Sequence, residues 1–195
     1  MNYPELIAVV FGIASVWFAR KENILVFPMG IISVLIFIYL FFTGRMYANA
    51  GINLIYFFTN AFGWYNWSRK KNEEHVVTIT RNTSRQNWLI IGFAIVFYVA
   101  VLLLLRWYNR ADAAYLHSSM PWMDALNSSL FLCATILMTI KKLENWHFWI
   151  AGNVVSIPIF LIQGFYFTSF QYAVFLVLAL SGLSLWRRKA KTPNP

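Results

Sequence analysis

Charged residues punctuate this chain at wide intervals. Stretches free of Lys, Arg, Asp and Glu run from Leu6 to Ala19, Asn23 to Gly44, Met46 to Ser68, Gln86 to Leu105, Ala125 to Ile140 and Asn145 to Trp186. Roughly 20 apolar residues cross a bilayer as a helix, so each of the first five holds one span. The sixth is 42 residues long and holds two, with a turn in the polar, glycine-containing stretch from Gln163 to Gln171. The pattern therefore predicts seven spans. The first has only 14 uncharged residues and could be mistaken for a secretory leader. Met1 to Glu5 has no Lys or Arg and no small-residue cleavage site follows, so we read it as a span.

Composition points the same way. Of 195 residues, 59% are hydrophobic and 12% charged, against about 25% charged in soluble domains. Too little polar surface is left to cover a globule in water, and the expectation is an all-α integral membrane protein. A disordered chain, a disulfide scaffold and an ordinary cytosolic enzyme are excluded. The single cysteine, Cys133, has no internal partner to bridge. In a soluble protein a net charge of +9 would suggest nucleic acid. Here the basic residues sit at the ends of apolar runs, where they orient a membrane protein, and no nucleic-acid partner is expected. With the C-terminus cytoplasmic, thirteen Lys and Arg lie inside and three, Arg45, Arg106 and Arg110, outside. That asymmetry predicts an outer N-terminus and an inner C-terminus.

An internal repeat emerges from the spans. Ala19-Arg20-Lys21-Glu22-Asn23 opens two spans that close on Gly63-Trp64-Tyr65-Asn66-Trp67-Ser68-Arg69-Lys70, and Lys141-Lys142-Leu143-Glu144-Asn145 opens two that close on Gly182 and Trp186-Arg187-Arg188-Lys189. The Glu-Asn pairs are offset by 122 and the glycines by 119, which predicts a turn three residues shorter in the second copy. Spans one to three would match spans five to seven, with span four as the inverting linker, giving parallel repeats. The expected division is 1–71, a first three-helix bundle; 72–124, a linker helix with flanking loops; 125–188, a second three-helix bundle; and 189–195, a cytoplasmic tail.

Polar side chains inside spans are the first candidates for chemistry, because lipid does not tolerate them. Asn49, Asn53, Tyr56, Asn60, Trp64 and Trp67 recur at helical spacing on one face of span three. Amides also glue helices together and tryptophans anchor interfaces, and for Trp67 that structural role is the stronger reading. Span six carries Trp149, Asn153, Ser156, Phe160 and Gln163 on one face, with Pro158 expected to kink it and Pro28 doing something similar in span two, closer to its cytoplasmic end. Span five opens with Asp124, either attracting a cation or acting as a cap carboxylate, followed by Asn127, Ser128, Phe131 and Thr135. No span interior holds a charge, so ion-coupled pumping is not expected. His75, His117 and His147 are scattered, no phosphate-cradling loop is present, and no metal, cofactor or catalytic residue is expected. The reading is a cavity of amides and aromatic rings suited to a small, polar, partly aromatic and cationic ligand, or to a sugar.

Gly63-Trp64-Tyr65-Asn66-Trp67-Ser68-Arg69, Glu144-Asn145-Trp146-His147-Phe148-Trp149 with Asn153, and Gln163-Gly164 with Tyr172 and Gly182 together resemble the PnuC-type vitamin transporters of bacteria. The resemblance runs from about Ile7 to Trp186. It implies seven transmembrane helices, two three-helix bundles joined by a linker helix (3+1+3), related to the semi-SWEET and SWEET transporters and assembled as a homotrimer in the bacterial inner membrane. It implies facilitated diffusion of nicotinamide riboside by alternating access, with the substrate trapped by intracellular phosphorylation, and no enzyme activity. The residues expected at the substrate are Asn53, Tyr56, Asn60, Trp64, Trp67, Asn127, Trp149, Asn153 and Tyr172. Thiamine, another vitamin, or a sugar carried in the SWEET manner are the alternatives.

Overall fold

The computed structural model describes residues 3–44, 47–71, 74–75, 77–162 and 166–190. Its helices are α1 (Tyr3–Arg20), α2 (Val26–Thr43), α3 (Tyr47–Ser68), α4 (Ser84–Tyr108), α5 (Ala113–His117), α6 (Met120–Thr139), α7 (Asn145–Ile162) and α8 (Tyr166–Lys189). A two-residue hairpin, β1 (Lys70–Lys71) with β2 (Glu74–His75), follows α3. Five helices, α1, α2, α4, α7 and α8, are long and apolar enough to cross a membrane. The long helices α3 and α6 carry polar side chains on their buried faces, among them Asn60 and Asn66, and Ser129, Thr135 and Thr139.

Local sequence fixes several of these ends. Thr83 and Gln86 form a reciprocal capping box at the start of α4, each side chain holding the other residue's backbone N–H. Pro121 lies in the first turn of α6, where its missing N–H costs nothing. Pro28 likewise sits in the first turn of α2, so the kink expected of it does not fall within the helix interior. Pro158 is interior to α7, which continues through it to Ile162. α6 starts a turn before Asp124, whose carboxylate accepts a 3.0 Å hydrogen bond from the Tyr115 hydroxyl. The cap reading of Asp124 is therefore replaced by a tie to α5.

The helices close into a ring. α1 packs on α2, α2 on α3, α3 on α6, α6 on α7, α7 on α8 and α8 back on α1, while α4 lies outside against α6. The ring has an internal register of 119 residues: α2 starts at Val26 and α7 at Asn145, α3 at Tyr47 and α8 at Tyr166, and α1 ends at Arg20 and α6 at Thr139. The turns obey it too. Glu22 N–H donates to Ala19 O and Asn23 N–H to Phe18 O, as Lys141 N–H does to Met138 O and Lys142 N–H to Leu137 O. Glu22 and Lys141 both sit in the left-handed region, at φ 60° and 51°. The structural equivalent of Glu22 is thus Lys141, and no three-residue shortening separates the repeats. The likeness of the two Glu-Asn pairs is out of register.

The basic end of the ring is sealed by reciprocal contacts. Trp67, ending α3, donates its indole N–H to the carbonyls of Met138 and Thr139 at 3.2 and 3.1 Å, and Trp186, near the end of α8, donates to Ala19 O at 3.2 Å. Each tryptophan also meets a ring edge-on from its own half, Phe27 at 5.0 Å and Trp146 at 5.5 Å. Gly63 and Gly182 make room for those rings: a Cβ would stand 2.3 Å from Phe27 and 2.4 Å from Trp146. Over this cluster, Glu22 binds Lys141 at 2.8 Å and Lys189 at 3.0 Å, and the Lys141 ammonium lies 4.6 Å above the Trp67 ring. Residues 79–82 strap across the α6–α7 turn through Thr80 N–H to Lys141 O, Leu143 N–H to Thr80 O and Asn82 N–H to Glu144.

Gly63→Ala and Gly182→Ala should each lower stability by about 1–3 kcal/mol through overpacking, while Gly51→Ala, with open space around it, should be neutral or slightly stabilising. Thermal unfolding in detergent checks this. Partial burial raises the Glu22 carboxyl, but its bonds and charge contacts with Lys141 and Lys189 outweigh that and hold it below its ordinary 4.5. Its contribution is therefore complete above that value and fades as pH falls through the lowered one. Lys141→Met should cost about 2 kcal/mol at neutral pH, and the gap to wild type should narrow in melts below pH 4.

Candidate functional site

Inside the ring lies a cavity of about 400 Å³, lined by α1, α2, α3, α6, α7 and α8. That volume falls within the roughly 300–1,000 Å³ of small-molecule sites. Its lining grades from closed to open. At the basic end it is floored by the buried residues Ala19, Val26, Met138 and Trp146, whereas Glu5, Phe41, Thr168 and Gln171 at the far end are partly exposed.

Six of the nine sequence-predicted residues come together here: Asn53, Tyr56, Asn60, Trp149, Asn153 and Tyr172. On α3, Asn60 donates to Tyr56 O at 2.8 Å and Asn53 to Asn49 O at 3.0 Å, so each amide oxygen stays free of that bond. The Tyr56 hydroxyl donates to Ser128 O across to α6 at 3.3 Å. Gly30 of α2 lets the Asn60 amide approach, since a Cβ there would meet its oxygen at 2.9 Å. On the opposite side the walls are aromatic. Tyr172 is stacked between Phe131 at 6.1 Å and Phe160 at 5.2 Å, and Trp149 leans on Phe131 at 5.3 Å. Gly152 lets Phe131 in, because a Cβ would sit 2.3 Å from its ring.

Asn153 of α7 is the outlier. It is 1% exposed, lines the cavity, and neither its amide nitrogen nor its oxygen has a hydrogen-bond partner. Leaving a buried polar group unpaired costs about 1–3 kcal/mol. Three hydroxyls of the same lining are engaged elsewhere: Ser15, Ser33 and Thr135 donate to the backbone carbonyls of Val26, Ala8 and Phe131. A ligand offering both a donor and an acceptor would complete the site.

The other three predicted residues lie elsewhere. Trp67 belongs to the seal, Trp64 is 43% exposed on the outside of α3, and Asn127 is on α6 outside the lining, its amide oxygen buried without a partner. The buried direction of α3 turns toward Gly63, Asn66 and Trp67 at its end, which leaves Trp64 outside although the spacing puts it in phase. Gln163 and Gly164 lie outside the described residues. Sequence reasoning did not select Phe175, Met138, Trp146 or Gly30 for the lining, nor Glu5. The 119-residue register would have pointed to Gly30, the counterpart of Trp149.

A ring of apolar helices around a polar and aromatic cavity, closed at one end, defines a membrane carrier for a small organic solute. The chain matches the family model described as nicotinamide mononucleotide transporter over residues 2–188, and it belongs to that family. It is 28% identical to the nicotinamide riboside transporter PnuC of Escherichia coli K12 across 98% of this chain and 87% of that protein. It is 24% identical to the riboflavin/roseoflavin transporter RibM of Streptomyces davaonensis, across 99% and 89%. The crystal structure of the vitamin B3 transporter PnuC superimposes with a TM-score of 0.71 at 23% identity, covering 95% of this chain and 81% of that one, which establishes the fold. These relatives are transporters, not enzymes.

Because Asn153 is orphaned, Asn153→Leu should leave the ligand-free protein as stable as wild type or slightly more so. Trp67→Phe, which loses the seal's donor, should lower the melting midpoint clearly. Ligand-free melts of the two variants side by side check the assignment of one to the cavity and the other to the frame.

Proposed function

We propose that this protein carries nicotinamide riboside across the bacterial inner membrane by facilitated diffusion. The observation that carries the reading is the lining itself: aromatic rings on α6, α7 and α8, amides on α3 and α7, the orphaned Asn153 between them, and no Lys, Arg or His among the described lining residues. Ring faces suit a pyridinium and the amides suit a carboxamide and ribose hydroxyls. The expected contacts are Asn53, Tyr56, Asn60, Trp149, Asn153 and Tyr172. The missing cation separates the riboside from the mononucleotide, for a phosphate buried with no positive partner is strongly disfavoured. The same property serves trapping. Once phosphorylated inside the cell, the substrate no longer suits the cavity it came through, and net uptake needs no coupling ion.

In this reading all seven long helices span the membrane as 1–71 and 125–188 around the 72–124 linker, with the basic, sealed end cytoplasmic and the partly exposed end outside. Alternating access then requires the seal to part, with Trp67 and Trp186 releasing the facing carbonyls and Glu22 releasing Lys141. Assembly as a homotrimer follows the resemblance. Thiamine, also a cationic ring, is the second reading, favoured by the same aromatic wall.

Calorimetry on detergent-purified protein tests this. Nicotinamide riboside should bind, the mononucleotide should bind at least about tenfold more weakly, and Asn153→Leu should weaken the riboside by about 10–100-fold. Tight binding of thiamine alone would change the substrate and keep the mechanism. Silence from both would reopen the sugar alternative.

A further inference from the structure

Glu5 stands in the first turn of α1 and on the cavity lining at its partly exposed end. It is in helical phase with Ala8, Gly12, Ser15 and Ala19, which all face the cavity, so its placement follows from the inward stripe of α1. An acid in a helix's first turn is favoured by the macrodipole wherever it points, and this one points where a solute enters. Among the described residues it is the only charged group of the lining, and no described residue pairs with it, since the two ion pairs found both involve Glu22. In a chain of net charge +9 the cavity thus carries the opposite sign. Past Glu5 the lining continues in the aromatic side chains of Phe131, Trp149 and Tyr172.

We propose that Glu5 is the charge-selecting residue of this carrier: it draws a cationic solute into the outer mouth and makes the site prefer a positively charged ring over an uncharged one of the same shape. A cation entering the cavity gives up part of its hydration, and a carboxylate at the mouth offsets that loss only for a charged solute. The attraction is partly screened, so it also makes binding salt-dependent. The proposal rests on the carrier function above and adds the residue that sets charge preference. It also distinguishes two demands within one fold, because a carrier for an uncharged ring system has no use for this carboxylate.

The test compares wild type with Glu5→Gln and Glu5→Asp by calorimetry. The two probes are of one shape, nicotinamide riboside as the cation and its dihydro form as the neutral ring. Glu5→Gln should weaken the cation by about tenfold, leave the neutral probe within about twofold, and flatten the salt dependence of cation binding. Glu5→Asp should keep most of the preference. Equal weakening of both probes, or an unchanged ratio, overturns the proposal while leaving the carrier reading intact. Failure of wild type to bind either probe overturns both. Melts of the three proteins confirm that folding is not the variable, since Glu5 is partly exposed at a helix start.

Discussion

The structure depends on a reciprocal contact at its basic end, where each half finishes the helix ends of the other. The last carbonyls of a helix have no partner within it, and in an apolar setting they must be supplied with donors. Trp67 supplies those of α6 and Trp186 supplies that of α1, so neither half is complete alone. The turns that follow α1 and α6 use the left-handed conformation usually left to glycine. Here the positions are held by Glu22 and Lys141, at a conformational cost of roughly 1–2 kcal/mol each. A glycine would relieve that cost and lose the bridge. The two strained residues are repeat-equivalent and bind each other, so the ion pair spans the junction between the halves.

The frame is symmetric, and the cavity within it is not. The contact between the first two helices of each half is filled by Gly12 with Ser33 on one side and by Phe131 with Gly152 on the other, positions related by the 119-residue register. Volume has moved from the second helix to the first, and the large partner is a ring. Gly30 corresponds in the same way to Trp149, Asn53 to Tyr172 and Val34 to Asn153. The first half therefore offers small residues and the amides of α3, and the second offers stacked rings with the amides of Asn153 and Gln171. A repeated scaffold whose halves kept identical linings would enclose a symmetric space. Exchange of small for aromatic residues at equivalent positions makes the two sides of the space unlike.

How far this was legible in the sequence follows from what each signal measures. Charge-free runs located the long helices well, because Lys and Arg are expelled to helix ends. The same criterion hid Glu5, since a span defined by the absence of charge begins one residue after it, at Leu6. The repeat was visible, yet the Glu-Asn likeness drew it three residues out of register. Chemical identity was the wrong guide there, for the conserved feature is the left-handed turn and not the side chain in it. Helical spacing groups Asn53, Tyr56 and Asn60, which line the cavity, with Trp64, which does not, because spacing fixes an angle on one helix and not the direction in which neighbours lie at its end. The aromatic wall was partly anticipated through Trp149 and Tyr172, whereas the role of Phe131 depends on Gly152 across the contact, which no single-helix pattern reveals.

The places where this chain departs from good packing practice are the places a carrier must use. A buried amide with no partner and two residues held in the left-handed region each lower the stability of the resting state. A ligand shifts a conformational equilibrium only by the difference in its affinity for the two states. On the proposed reading Asn153 would supply that difference: its amide is unsatisfied in the empty cavity, and a solute that satisfied it would stabilise whichever arrangement brings the α3 amides and the aromatic wall around it. The seal at the basic end is built from a few directional bonds, two indole donors and one branched ion pair, instead of a wide apolar interface. Such a closure is broken by small displacements of helix ends. In the proposed carrier reading, the contrast between a site that gains by closing around a solute and a seal that gives way over short distances is what would let the same ring hold a solute and then release it on the other side.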